Sequence, residues 1–151
     1  MLRQAFTDRL KEAMKSKDSR VISTVRMIIA GLKERDVGAR GQGTVGGVSE
    51  DEIRRMLQAM IKQRRESIAL YERGNRADLV QQELEEIVVI ESFLPRQLGV
   101  GEIEAAAITA IAETGATKLS DMGKVMAALR ERHAGAIDLG KAGAIVRRRL
   151  G

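Results

Sequence analysis

The sequence predicts an all-α protein. Three observations point there. Apolar residues recur at every third or fourth position, aromatic residues make up only 2% of the chain, and the one proline is Pro95. The spacing is the helical period, not the two-residue period of a strand. A core short of rings has to be filled by Leu, Ile, Val, Met and Ala, which suit helix-on-helix packing. With one proline, long helices run without interruption wherever the pattern permits.

The elements follow in order. Leu2, Phe6, Leu10 and Met14 share one face of a first helix. Asp18 is placed to cap a second, whose apolar stripe is Val21, Ile22, Val25, Ile28, Ile29 and Leu32 and which fades near Val37. Gly38 to Val48 holds five glycines and reads as a mobile connector. It lacks the GxxxxGK[ST] pattern of a phosphate loop, and no strand precedes it. Ser49 and Glu52 form a capping box for a long third helix carrying Ile53, Met56, Leu57, Met60, Ile61, Ile68 and Tyr71, stopped by Gly74-Asn75. A fourth helix from Ala77 has Leu79, Leu84, Ile87, Val88 and Ile90 as core candidates and ends before Pro95. Arg54 to Arg73 on the third helix and the glutamates of the fourth then face each other. Surface ion pairing is preferred there to a nucleic-acid stripe.

Leu94-Pro95-Arg96-Gln97-Leu98 reads as a junction between a helical N-terminal domain, residues 1–94, and a small C-terminal three-helix domain, residues 95–151. In the second domain Ile103, Ala107, Ala110 and Ile111 define a helix closed by Gly115. Ser120 is expected to cap the next, with Met122, Val125, Met126 and Leu129 inward; Asp138 caps the last, with Leu139, Ala142, Ile145, Val146 and Leu150 inward.

Charge separates the two parts. The chain carries a net +5: residues 1–94 hold 17 basic and 15 acidic side chains, residues 95–151 hold 9 and 6, so the shorter part has the larger positive balance. Such a balance favours a polyanion, with an Arg-rich solvated surface as the plainer alternative. The chain has no cysteine, which excludes disulfides, thiolate metal sites and a cysteine nucleophile. No apolar run reaches the length of a membrane span, and the N-terminus lacks the apolar core of a signal peptide, so the expected location is the cytoplasm.

No catalytic centre, metal site or cofactor site can be read. His133 is the one histidine, and it follows Glu131-Arg132 at what looks like an exposed helix end, where it complements the helix dipole. Ser120, His133 and Asp138 supply the residue types of a triad, but nothing in the pattern brings them together. Gly123 is more informative. It falls in the first turn of a helix, where alanine is preferred by about 1 kcal/mol, so either a neighbouring helix or a ligand phosphate is expected to approach it closely.

Five segments together resemble the GatB/YqeY family of small proteins: Leu32-Lys33-Glu34-Arg35, Ile61 to Ser67 (IKQRRES), Asp78-Leu79 with Glu83 and Glu86, Leu94 to Leu98 (LPRQL), and Asp121 to Met126 (DMGKVM). Where such proteins usually carry Ser and acidic residues after the Leu-Pro junction, this chain has Gly99-Val100-Gly101, a weaker helix cap. The resemblance implies an N-terminal helical hairpin-type domain and a C-terminal domain similar to the tail of the B subunit of tRNA-dependent amidotransferase, a carbon–nitrogen ligase with glutamine as amido donor. In that enzyme the tail helps to hold tRNA near its elbow. The kinase-like cradle of the subunit and its amidase partner are absent, so the implied role is a non-catalytic tRNA-associated adaptor. An accessory to an amidotransferase complex and a helical protein-interaction module are the alternatives. The implied contacts are Gly123 and Lys124, joined by Arg130, Arg132, Lys141, Arg147, Arg148 and Arg149 on a cationic surface. With no aromatic residue in this half, backbone and shape recognition of folded RNA is expected rather than base stacking.

Overall fold

The computed structural model describes residues 1–151, all helix, turn and loop. The helices are α1 (Leu2–Ser16), α2 (Ser19–Gly41), α3 (Glu50–Arg73), α4 (Ala77–Glu91), α5 (Val100–Thr114), α6 (Met122–Arg132) and α7 (Leu139–Leu150), with a 3₁₀ turn over Leu119–Asp121. They divide into two compact units, Met1–Leu94 and Pro95–Gly151.

In the first unit the predicted caps form. The Asp18 carboxylate accepts from the Val21 N–H at 3.3 Å, and the Ser49 hydroxyl accepts from the Glu52 N–H at 3.2 Å. The stop after α3 works differently from expectation. Gly74 keeps a negative φ, and it is Asn75, at φ 56°, that turns left-handed. An asparagine tolerates that region because its short polar side chain adds little steric conflict.

The core of this unit gathers Phe6, Ala13, Val25, Ile28, Ile53, Leu57 and Ile90, with Phe6 edge-on to Phe93 at 4.8 Å between centroids. Two predicted faces are corrected. On α1 the inward residue of the last turns is Ala13, and Met14 is exposed. On α4 the buried residues are Glu86, Ile87, Val89 and Ile90, while Leu84 and Val88 lie in solvent. The face is chosen by an ion pair. Arg64 of α3 is only 7% exposed, and its Nε donates to Glu86 at 3.0 Å, so this pair is buried, whereas Arg65 and Glu91, 3.1 Å apart, form the kind of surface pair between α3 and α4 that the sequence leads one to expect.

The glycine-rich segment is also corrected. α2 continues to Gly41, and Ala39 packs against the core. The far end of the loop is pinned. Asp36, 8% exposed, accepts from Arg3 Nη1 and Nη2 at 2.6 and 2.8 Å and from the Val48 N–H at 3.0 Å, while Arg3 also donates to the Val48 carbonyl at 2.9 Å. Gly47, at φ +85°, lies so close to this carboxylate that a Cβ there would stand 2.7 Å from the Asp36 Cγ. Only glycine fits. The segment from Gln42 to Gly46 is therefore a short loop between two fixed ends.

The Arg3 hydrogen bonds, helped by the Val48 N–H and opposed by burial, hold the Asp36 carboxyl at about 2, below its ordinary 3.8. A depressed carboxylate stabilises the fold at neutral pH and loses that contribution as pH falls from about 4 to about 2. Asp36→Asn should lower the unfolding free energy by about 2 kcal/mol at pH 7. Urea titrations at several pH values should show that gap closing toward pH 2; a gap independent of pH would refute the assignment. Glu86→Ala, which strands a buried guanidinium, should cost about 3–5 kcal/mol, and adding Arg64→Met should recover most of the loss in the same urea assay.

Candidate nucleic-acid interface

The second unit is built on alanine and branched aliphatic residues: Ile103, Ala107, Val125, Leu129, Ala142 and Val146 are all buried. Gly143 of α7 is buried as well, and its Cβ position lies 3.5 Å from Met122 Cε and 3.8 Å from Met126 Cε. The close approach of α7 to the methionine side of α6 leaves the polar positions of both helices pointing outward.

α5 starts at Gly99 without a side-chain cap, as the Gly99-Val100-Gly101 departure predicts. The deficit is made up from inside the helix. Glu102 accepts from the Gly99 N–H at 3.1 Å and from both terminal nitrogens of Arg96, at 3.1 and 2.7 Å. These bonds hold its carboxyl at about 2.

The entry to α6 is corrected. Ser120 is not its cap. The chain enters through the 3₁₀ turn, and Asp121 takes the flanking position. The Asp121 carboxylate accepts from the Thr117 and Lys118 N–H groups at 2.9 and 3.3 Å, which lowers its pKa. Lys124 Nζ stands 3.7 Å from the same carboxylate. The Met122 N–H is already taken by the Leu119 carbonyl. Gly123 is exposed, and nothing lies within 4 Å of its Cβ position. Of the two readings left open for this glycine, close packing against a neighbouring helix is therefore removed.

The seven predicted cations separate into two groups. Lys124 faces Asp121, Arg132 pairs with Glu113, and Arg149 pairs with Glu104 at 3.2 Å. Arg130, Lys141, Arg147 and Arg148 are exposed and have no carboxylate partner. Lys141 and Arg148 are seven residues apart on α7, which puts them on one face about 10 Å apart along the axis. The ties from α6 and α7 to α5 had no signature in the sequence, because Glu104 and Glu113 meet their arginines only once the three helices are assembled. The triad types do not converge into a visible device: Asp138 is engaged with the Lys141 N–H at 3.1 Å, and His133 closes α6 through its own N–H to Leu129. No group of three or more potential ligands is placed to hold a metal ion, and no helix is long and apolar enough to cross a membrane.

A family model described as "Yqey-like protein" matches residues 3–150. Three curated fungal proteins are similar to the chain, each named "Altered inheritance of mitochondria protein 41, mitochondrial". The one from Lachancea thermotolerans is 33% identical over 85 residues, 56% of this chain and 43% of its own length. The one from Kluyveromyces lactis is 29% identical over 89 residues, 59% of this chain and 46% of its own. The one from Eremothecium gossypii is 31% identical over 98 residues, 60% and 51%. The chain thus spans about half the length of these relatives. Their names overturn the cytoplasmic location expected from the sequence, since all three are called mitochondrial. The physical reason is plain. A chain without cysteines or apolar spans is compatible with any aqueous compartment, so these features never discriminated between them.

Because no atom of this chain occupies the space above Gly123, Gly123→Ala should raise the unfolding free energy by about 0.5–1 kcal/mol. Thermal denaturation followed by circular dichroism measures it; a lower melting temperature would mean that the glycine is needed by the fold itself.

Proposed function

Since the chain belongs to the YqeY-like family, we propose that its C-terminal unit is a docking module for folded RNA of the tRNA type and that the chain acts as a non-catalytic adaptor. The observation that carries this reading is the charge on α7. Lys141, Arg147 and Arg148 are exposed, and no carboxylate of the chain neutralises them. Free cations on a rigid helix release counterions when they meet a phosphate backbone. The 10 Å spacing of Lys141 and Arg148 spans more than one phosphate step, and Arg130 extends the set onto α6. Lys124, Arg132 and Arg149 belong to the same surface in a weaker sense. Arg132 and Arg149 pair with exposed carboxylates, and Lys124 stands 3.7 Å from the partly buried Asp121 with its own head in solvent; pairs of this kind have small net value, so a phosphate can compete for the cations. Gly123 contributes an open backbone beside Lys124.

This arrangement suits contact with a phosphate backbone and offers no platform for stacking on bases, because no Phe, Tyr or Trp lies in residues 95–151. The adaptor would therefore recognise shape and leave chemistry to a partner, the amidotransferase type of complex being the one the tail resemblance implies. Fluorescence anisotropy with labelled tRNA across a salt series tests it. Binding should weaken with a log–log slope of about −0.7 to −0.9 per phosphate neutralised. The double charge reversal Lys141→Glu with Arg148→Glu should weaken low-salt binding at least tenfold and make the slope shallower. Absent binding at low salt, or binding indifferent to that reversal, would reject the proposal.

A further inference from the structure

A cleft of about 640 Å³ opens in the first unit between α2, α3 and α4. That is the size of a small-molecule site. Its walls carry Met27 and Arg35 from α2, Met60 and Arg64 from α3, and Glu83 and Glu86 from α4. Three of the segments that carry the family resemblance, around Glu34-Arg35, Gln63-Arg64 and Glu83 with Glu86, meet here and nowhere in the RNA surface proposed above.

The hydrogen bonding of the walls is incomplete in a particular way. Arg64 is more than nine-tenths buried. Its Nε is taken by Glu86 and its Nη1 by the Met60 carbonyl at 3.1 Å, but the acceptor for Nη2 is the Met27 thioether at 2.6 Å. Sulfur is a weak acceptor, and a guanidinium has five N–H groups to place. Met27 is 43% exposed, so it can swing aside. Arg35, whose Nη1 lies 3.8 Å from the Cβ position of Gly31, adds a second cation without a carboxylate partner. On the opposing wall Glu83 is half-buried and makes no hydrogen bond or ion pair. Burial and the neighbouring Glu86 raise its pKa, and Arg64 pulls it back through space without touching it. Opposite charges thus face each other across the gap, each with bonding capacity left over.

We infer that this cleft binds a small zwitterion of the α-amino-acid type, its carboxylate on Arg64 Nη2 and Arg35 and its ammonium on Glu83. An anion alone would leave Glu83 desolvated beside Glu86, and a cation alone would leave Arg64 on a thioether. A zwitterion satisfies both poles at once, and Met27 and Met60 supply polarizable walls for its side chain. The site is independent of the RNA reading, since it lies in the other unit.

Titration calorimetry of the full chain against each of the twenty free amino acids tests it, followed by the N-acetyl and the methyl ester derivatives of the tightest binder. At least one amino acid should bind one-to-one, with each blocked derivative at least tenfold weaker. Glu83→Gln, which removes no bond within the chain, should weaken the amino acid at least tenfold and leave the N-acetyl derivative's affinity unchanged. Arg35→Gln should do the converse with the methyl ester. No heat and no rise in melting temperature at millimolar amino acid would overturn the inference. So would blocked derivatives that bind as well as the parent, or a Glu83→Gln variant that folds and binds normally.

Discussion

A guanidinium taken out of water organises the N-terminal unit. Arg64 makes its bonds to three helices: to Glu86 on α4, to the Met60 carbonyl on its own helix, and to Met27 on α2. Arg20 of α2 closes the arrangement from the other side, 3.9 Å from the second Glu86 oxygen. Removing two charges from water is expensive, and the attraction between them repays it only when the geometry is right. α4 therefore cannot rotate to bury Val88 in place of Glu86 without stranding Arg64. The apolar pattern permits several faces of α4 to turn inward, and the ion pair selects one. The same polar nucleus leaves the unfilled space of the cleft beside it, because a charged pair surrounded by long side chains does not close up as Leu and Ile do.

Much of this fold is legible in the residues. Helix starts at Ser19 and Glu50 follow from Asp18 and Ser49, and the stretch ending at Leu94 follows from Pro95. What the periodicity could not settle are places where a charge goes inside. Asp36 and Glu86 sit on helices whose acidic residues are ordinarily assigned to solvent. Their burial depends on Arg3 and Arg64, which lie 33 and 22 positions away in sequence. The same kind of partner explains the length of α2. Gly38 and Gly41 read as the end of the helix, yet each weakens it only by about 1 kcal/mol. The bonds of Asp36 and the packing of Ala39 outweigh that.

The candidate interface was legible in a different way. The types and approximate places of its cations could be written down from the chain, because Arg and Lys at these spacings on helices of mixed character end up outside. Which of them meets a carboxylate could not. Arg132 and Arg149 find carboxylates on α5, whereas Arg147 and Arg148, their neighbours in type and position, find none. A run of three arginines is thus divided by the crossing of helices. The cellular compartment left no trace in the composition. The finding against the cytoplasmic expectation is the mitochondrial naming of fungal relatives longer than this chain.

The pinned glycine loop carries a consequence for how such chains tolerate change. Its far foot is bound to the Asp36 carboxylate through the Val48 N–H and its near foot is held by backbone bonds to the last turn of α2, while Val45 at its tip is almost fully solvent-exposed. The entropy of closing a flexible loop grows only with the logarithm of its length. Residues added between Gln42 and Gly46 would lengthen the arc without pulling on either foot. The segment is therefore a permissive insertion point, the natural place on this scaffold to graft an epitope, a fluorophore or a targeting tag while the helices on either side keep their seats.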